Sequence, residues 1–76
     1  MNGGLTVATT ELVLSETVKA MIQLKSNDNR LLVDVRKWFK FERNLDYFPT
    51  RKGITLDVDQ WKKIIPMIQN LIDGKT

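Results

Sequence analysis

A chain of 76 residues is a single small domain, and a domain of that size buries only about 60% of the surface its unfolded chain exposes. It contains no cysteine and no histidine, which excludes a disulfide framework, the usual zinc ligands, and any thiol or imidazole chemistry. The formal charge is +3, unevenly spread: −2 over residues 1–17, +5 over residues 18–56 and zero over residues 57–76. Small domains without such staples gain core by self-association, so a homodimer is expected. No apolar run approaches the roughly 20 residues of a membrane span, and no basic-then-apolar leader opens the chain. A membrane partner is therefore not expected, and an intracellular location is.

Met1 to Gly4 is polar and glycine-rich and is expected to be loose. Leu5 to Leu14 mixes Thr, Val and Leu as a first strand candidate, ended by the turn Ser15-Glu16-Thr17. From Val18 to Lys25 the alternation is clean. Val18, Ala20, Ile22 and Leu24 share one face, and Lys19, Met21, Gln23 and Lys25 the other. Ser26 to Asn29 is rich in residues that tolerate a left-handed backbone, so it predicts a hairpin turn. Arg30 to about Lys40 then directs Leu31, Val33 and Val35 to the apolar side, and Arg30, Asp34, Arg36 and Trp38 to the other. After a polar loop over residues 42–46, Phe48 to Leu56 reads as a fourth strand, with Pro49 near its start. Gly53 inside it predicts a bulge that would bring Arg51 and Lys52 to one face.

The C-terminal segment predicts a helix. Asp57 is an N-cap, Gln60 completes a capping box, and Leu56 with Trp61 has the spacing of a hydrophobic staple. Val58, Trp61, Ile64, Ile65, Ile68, Leu71 and Ile72 form one apolar stripe, and Gly74 stops the helix. Pro66 lies opposite the stripe, which predicts a kinked but continuous helix lying across the apolar face of the sheet.

A sheet with one apolar face and one face of cations and aromatics suits unpaired nucleic acid, with cations on phosphates and flat side chains under bases. The candidates are Lys25, Arg30, Arg36, Arg51 and Lys52 for phosphates, and Trp38 and Phe39 for stacking. Each cation alone is ordinary surface charge, and Phe39 is also a candidate for the core, because neighbouring strand residues face opposite ways. Their placement on strands argues against a helix reading the duplex groove. Asp34 is the ion-pair partner that holds Arg36, Trp61 belongs to the core, and Asp57 is a cap. With no phosphate loop, catalytic base or nucleophile evident, an enzyme is not expected, nor is a cofactor or a metal.

Val33-Asp-Val-Arg-Lys-Trp38, followed by Arg51-Lys-Gly-Ile-Thr-Leu56 and Asp59-Gln-Trp61, resembles the positive cofactor four family of transcriptional coactivators over about residues 18–71. The resemblance implies an α+β fold: a curved four-stranded antiparallel sheet followed by one kinked C-terminal helix, dimerising through the helix. It implies channels for single-stranded DNA, with Lys25, Arg30, Arg36, Arg51 and Lys52 matching the basic residues. Trp38 and Phe39 match the aromatic pair at the end of the same strand. Two departures stand out: Ser26-Asn27-Asp28 holds no aromatic where the family usually has one, leaving Tyr47 or Phe48 to replace it, and the loop between strands is one residue longer. Without a Ser-rich arm the chain looks like the compact bacterial or phage type.

The expectation is thus a single-stranded-DNA-binding domain over residues 5–73, between a loose segment 1–4 and a tail 74–76. It would bind without sequence preference in transcription, replication or recombination, in the cytoplasm of a bacterium or phage-infected host. The expected partners are single-stranded DNA, a second copy of the chain, and replication or transcription proteins. The rival reading is a protein-docking adaptor whose basic sheet binds an acidic or disordered partner.

Overall fold

The computed structural model of the protein describes residues 4–43 and 45–74. Four strands, β1 (Leu5–Val13), β2 (Val18–Asn27), β3 (Arg30–Phe39) and β4 (Phe48–Asp57), precede one helix, α1 (Val58–Ile72). The strands form an open antiparallel sheet in the order β1-β2-β3-β4, each paired with its neighbour in sequence. This is the expected α+β architecture. The segment expected to be loose, 1–4, and the tail, 74–76, lie mostly outside the described residues; Gly4 and Gly74 both have positive φ. Among the described residues no helix is long and apolar enough to cross a membrane.

β2 and β3 pair without interruption from Val18↔Phe39 to Asn27↔Arg30. Between them stand only Asp28 and Asn29, with φ of 51° and 66°. Two successive left-handed residues make the tight turn whose twist matches that of a hairpin, so Ser26 and Asn27, expected in the turn, remain in the ladder. The β3–β4 ladder is irregular between Arg36 and Trp38, where Thr50 to Lys52 lie opposite Lys37 alone. Next to this bulge, Gly53 pairs with Arg36. A Cβ at Gly53 would stand 2.7 Å from both the Arg36 Cβ and the Val35 carbonyl oxygen. Only glycine lets the two backbones come that close.

The helix begins as predicted. The Gln60 amide donates to Asp57 Oδ1 at 2.8 Å, and the Asp57 amide donates to Gln60 Oε1 at 3.1 Å, completing the capping box. It runs through Pro66 to Ile72 and ends with Gly74 in the left-handed region, its amide bonded to the Leu71 carbonyl. Its placement differs from expectation. Val58, Trp61 and Ile64 are half-buried, and the Trp61 indole N–H donates to the Val33 carbonyl at 2.8 Å. Ile65, Ile68, Leu71 and Ile72 are exposed, and among the described elements α1 touches β3 and β4 alone. The helix therefore meets the sheet through its first two turns and does not lie across it.

Burial is sparse. Among the described residues only Met21 and Asp34 are buried outright, at 8% and 4% exposure. Both belong to the polar face, since Met21 pairs with Arg36 and Asp34 lies two residues away on the same side. Asp34 accepts from Arg36 Nε at 3.1 Å, from Arg36 Nη2 at 2.9 Å and from Thr55 Oγ1 on β4 at 2.6 Å. Burial pushes the Asp34 carboxyl up, but hydrogen bonds from Arg36 and Thr55 and the charges of Arg36 and Lys25 outweigh it and hold it below the ordinary aspartate range. The same carboxylate raises the Arg36 guanidinium.

Two outcomes follow for stability. Gly53→Ala should lower the free energy of unfolding by about 1–3 kcal/mol in urea titrations, because its methyl group meets backbone on β3. A carboxyl depressed on folding contributes stability above its unfolded pKa of about 3.9, and that contribution fades as pH falls through the folded value. Urea midpoints should therefore hold from pH 7 to about 5 and fall below about pH 4, with a shallower acid limb in Asp34→Asn.

Candidate functional site

Alternation along each strand sorts the sheet into two faces. The register places Lys19 opposite Trp38, Met21 opposite Arg36, Lys25 opposite Leu32 and Asn27 opposite Arg30, all on the polar face. Four of the seven expected residues, Lys25, Arg30, Arg36 and Trp38, therefore share one side of one hairpin. Lys25 is half-buried and lies close enough to Asp34 to help depress its carboxyl. Arg30 is exposed at the start of β3, with Nη2 3.4 Å from Asp57 Oδ2. An exposed pair at that distance is weak, so the guanidinium is free to exchange partners.

Arg36 is held differently. Besides its two bonds to Asp34, its Nη1 donates to the Thr50 carbonyl at 3.0 Å across the β4 bulge. Trp38 is half-buried between Lys19 on β2 and Pro49 on β4. Its Nε1 is buried and has no hydrogen-bond partner among the described residues. The indole is thus neither sealed in a core nor fully displayed.

The remaining three expected residues divide. Arg51 and Lys52 are both exposed and free of ion pairs among the described residues. Parity from Pro49, opposite Trp38, to Gly53, opposite Arg36, keeps Arg51 on the polar side and turns Lys52 to the other. Lys52 lines a recess with Lys37, Thr50, Val18 and Phe39. The bulge exists, but it does not bring the two cations to a common face. Phe39 also lies on this second side. Its ring stands edge-on to Phe41 at 5.2 Å and to Phe48 at 6.1 Å, and Phe41 is largely exposed. The expected site is therefore two basic and aromatic clusters, separated by the β4 bulge.

Lys19 and Lys40, outside the expected set, and Tyr47, expected as one of two replacements for the missing hairpin aromatic, complete the polar cluster. Lys19 Nζ lies 4.2 Å from the centroid of the Tyr47 ring and 2.7 Å from Glu11 Oε1. Lys40 Nζ lies 4.6 Å from the same ring and donates to the Arg43 carbonyl. Such contacts between ammonium groups and an aromatic ring are attractive by about 0.5–2 kcal/mol. Lys19 was legible from its alternation with Lys25. The contact between Tyr47 and Lys19 was not, because Tyr47 comes from the loop before β4, far from Lys19 in sequence.

The arrangement can hold a flexible polyanion by charge and offer it flat surfaces. A family description, Transcriptional Coactivator p15 (PC4), matches residues 17–66. No curated protein sequence matches the chain. The crystal structure of a PC4 homolog from Burkholderia pseudomallei, in an orthorhombic form, is 27% identical with a TM-score of 0.70, covering 99% of this chain and 95% of that one. A tetragonal form of the same homolog is 29% identical with a TM-score of 0.67, covering 96% and 98%. A bacteriophage T5 homolog of the eukaryotic coactivator, implicated in recombination-dependent DNA replication, shares the fold at 15% identity and a TM-score of 0.67, covering 90% of this chain and 81% of that one. With the profile spanning well over half of its length, and the sheet-then-helix architecture shared with these structures, the chain belongs to the transcriptional coactivator p15 (PC4) family.

Proposed function

We propose that the protein is a homodimer that binds single-stranded DNA without sequence preference, in transcription, replication or recombination, and makes or breaks no bond. The observation that carries this reading is the gathering of Lys25, Arg30, Arg36 and Trp38 on one face of the β2–β3 hairpin. Arg51 projects to the same side of β4, while Lys52 and Phe39 stand just across the bulge. Arg51 and Lys52, which form no ion pair among the described residues, take phosphates at the least cost in broken ion pairs. Trp38 supplies a flat apolar surface that any base can cover.

The dimer rests on the apolar surface that one chain leaves bare. Ile65, Ile68, Leu71 and Ile72 extend the helix stripe past the sheet. An open apolar groove also runs across β1, β2 and β3 along Ala8, Ile22, Leu24 and Val33. A second copy covers such surface at about 25 cal/mol for each Å² removed from water. In sedimentation equilibrium the protein should run at twice the chain mass, and Ile68→Lys should shift it to the monomer.

Binding is tested with oligo-dT and a matched duplex at two salt concentrations. The single strand should be strongly preferred, with log affinity falling against log salt at a slope near −4 if about six phosphates are neutralised. Lys52→Ala should weaken binding to all base compositions alike and make that slope shallower by about 0.7. Tryptophan emission should change on binding in the wild type and stay constant in Trp38→Phe, which retains only Trp61. Equal, weak binding to both oligonucleotides would instead favour the adaptor reading.

A further inference from the structure

We propose that Asp34, an acid at the centre of a surface for a polyanion, strengthens the hold on single-stranded DNA by positioning, through Arg36, the bulge that carries Arg51 and Lys52. The inference rests on the single-stranded-DNA reading above and adds a role that the net charge of the residue would not suggest.

The geometry runs in one direction through the sheet. A guanidinium has five N–H donors in a fixed plane. Asp34 takes two of those of Arg36, one on each carboxylate oxygen, and the Thr50 carbonyl takes a third at 3.0 Å. Thr55 fixes the carboxylate from β4, with its hydroxyl 2.6 Å from Asp34 Oδ1. Arg36 is thus committed on three sides within the protein and retains little of the fork that grips a phosphate bidentately. Its position makes it a strut between β3 and the bulge.

Thr50 passes the constraint on. Its hydroxyl donates to the Lys37 carbonyl at 2.8 Å and accepts from the Lys52 amide at 3.1 Å. The bulge is therefore pinned at Thr50 by Arg36 and Lys37, and at Gly53 by a backbone contact that excludes a side chain. Arg51 and Lys52, both exposed, stand between these two anchors. Cations displayed from a fixed backbone lose less freedom on binding than cations on a mobile loop, and this gain outweighs the repulsion of one buried, neutralised carboxylate.

A role confined to long-range charge predicts the reverse. Asp34→Asn raises the formal charge from +3 to +4 and would tighten binding, most at low salt. Positioning predicts that Asp34→Asn weakens oligo-dT binding about tenfold, a coupling of the usual size for one hydrogen-bonded network. The test is fluorescence anisotropy with oligo-dT on the wild type, Asp34→Asn, Arg36→Ala, the double variant, and Thr55→Val, which keeps both charges and nearly the same shape. Circular dichroism establishes that each is folded at the assay temperature. Asp34→Asn and Thr55→Val should both bind more weakly. Asp34→Asn should add little once Arg36 is Ala, and the Lys52 amide should exchange its hydrogen faster in both.

Binding by Asp34→Asn as tight as wild type or tighter, an effect fully additive with Arg36→Ala, or unchanged exchange at Lys52 overturns the proposal. If Asp34→Asn does not fold, Thr55→Val decides alone, and wild-type affinity in it overturns the proposal equally. A wild-type protein without preference for oligo-dT overturns the functional reading itself. Preference in the wild type with undiminished binding in the variants overturns only the positioning role.

Discussion

The ladder between β2 and β3 sets the rest of the molecule. Its pairs run unbroken from the strand ends to a turn of only Asp28 and Asn29, whose left-handed backbones leave no slack for an alternative pairing. Because side chains alternate with a period of two, a slip by one residue would exchange the two faces of the hairpin. Val33 and Val35 would go to the polar side, and Asp34, Arg36 and Trp38 to the apolar one. The register, fixed by turn chemistry, is therefore what creates a basic face at all, and the other elements build outward from it.

Around that hairpin the economy of a small chain is visible. Among the described residues the most buried groups are Met21 and a carboxylate, Asp34, while the aliphatic stripe of α1 is largely bare beyond Ile64. A buried carboxylate is tolerable here because three donor atoms meet it, two of them nitrogens of one charged guanidinium, so its desolvation is offset locally. The polar face is thus rigid at its centre, where Asp34, Arg36, Thr50 and Thr55 hold β3 to β4. It is looser at the start of β3, where Arg30 pairs weakly and is exposed. Membership in the coactivator family accounts for the architecture; the bonding around Arg36 accounts for how this chain organises its own cations.

Much of this was legible in the residues. The four strands, their faces, the hairpin turn, the capping box and the glycine stop are all local: each depends on alternation, left-handed tolerance or a side chain reaching three residues along. The sharing of one face by Lys25, Arg30, Arg36 and Trp38 followed from parity once the turn was placed. The path of the helix did not follow, because an apolar stripe says only that it must be covered, by its own sheet or by another surface. Nor did the separation of Arg51 from Lys52, since Gly53 marks a bulge without stating how many residues it takes up.

The sequence alone determined an α+β chain with one basic and one apolar sheet face, because short-range stereochemistry and strand parity are written residue by residue. Only the tertiary structure decided that Arg36 is a strut bonded to Thr50, that Tyr47 gathers Lys19 and Lys40, and that Lys52 shares a recess with Phe39. These contacts join side chains far apart along the chain, and their geometry exists only once two strands and a loop are held at fixed distances.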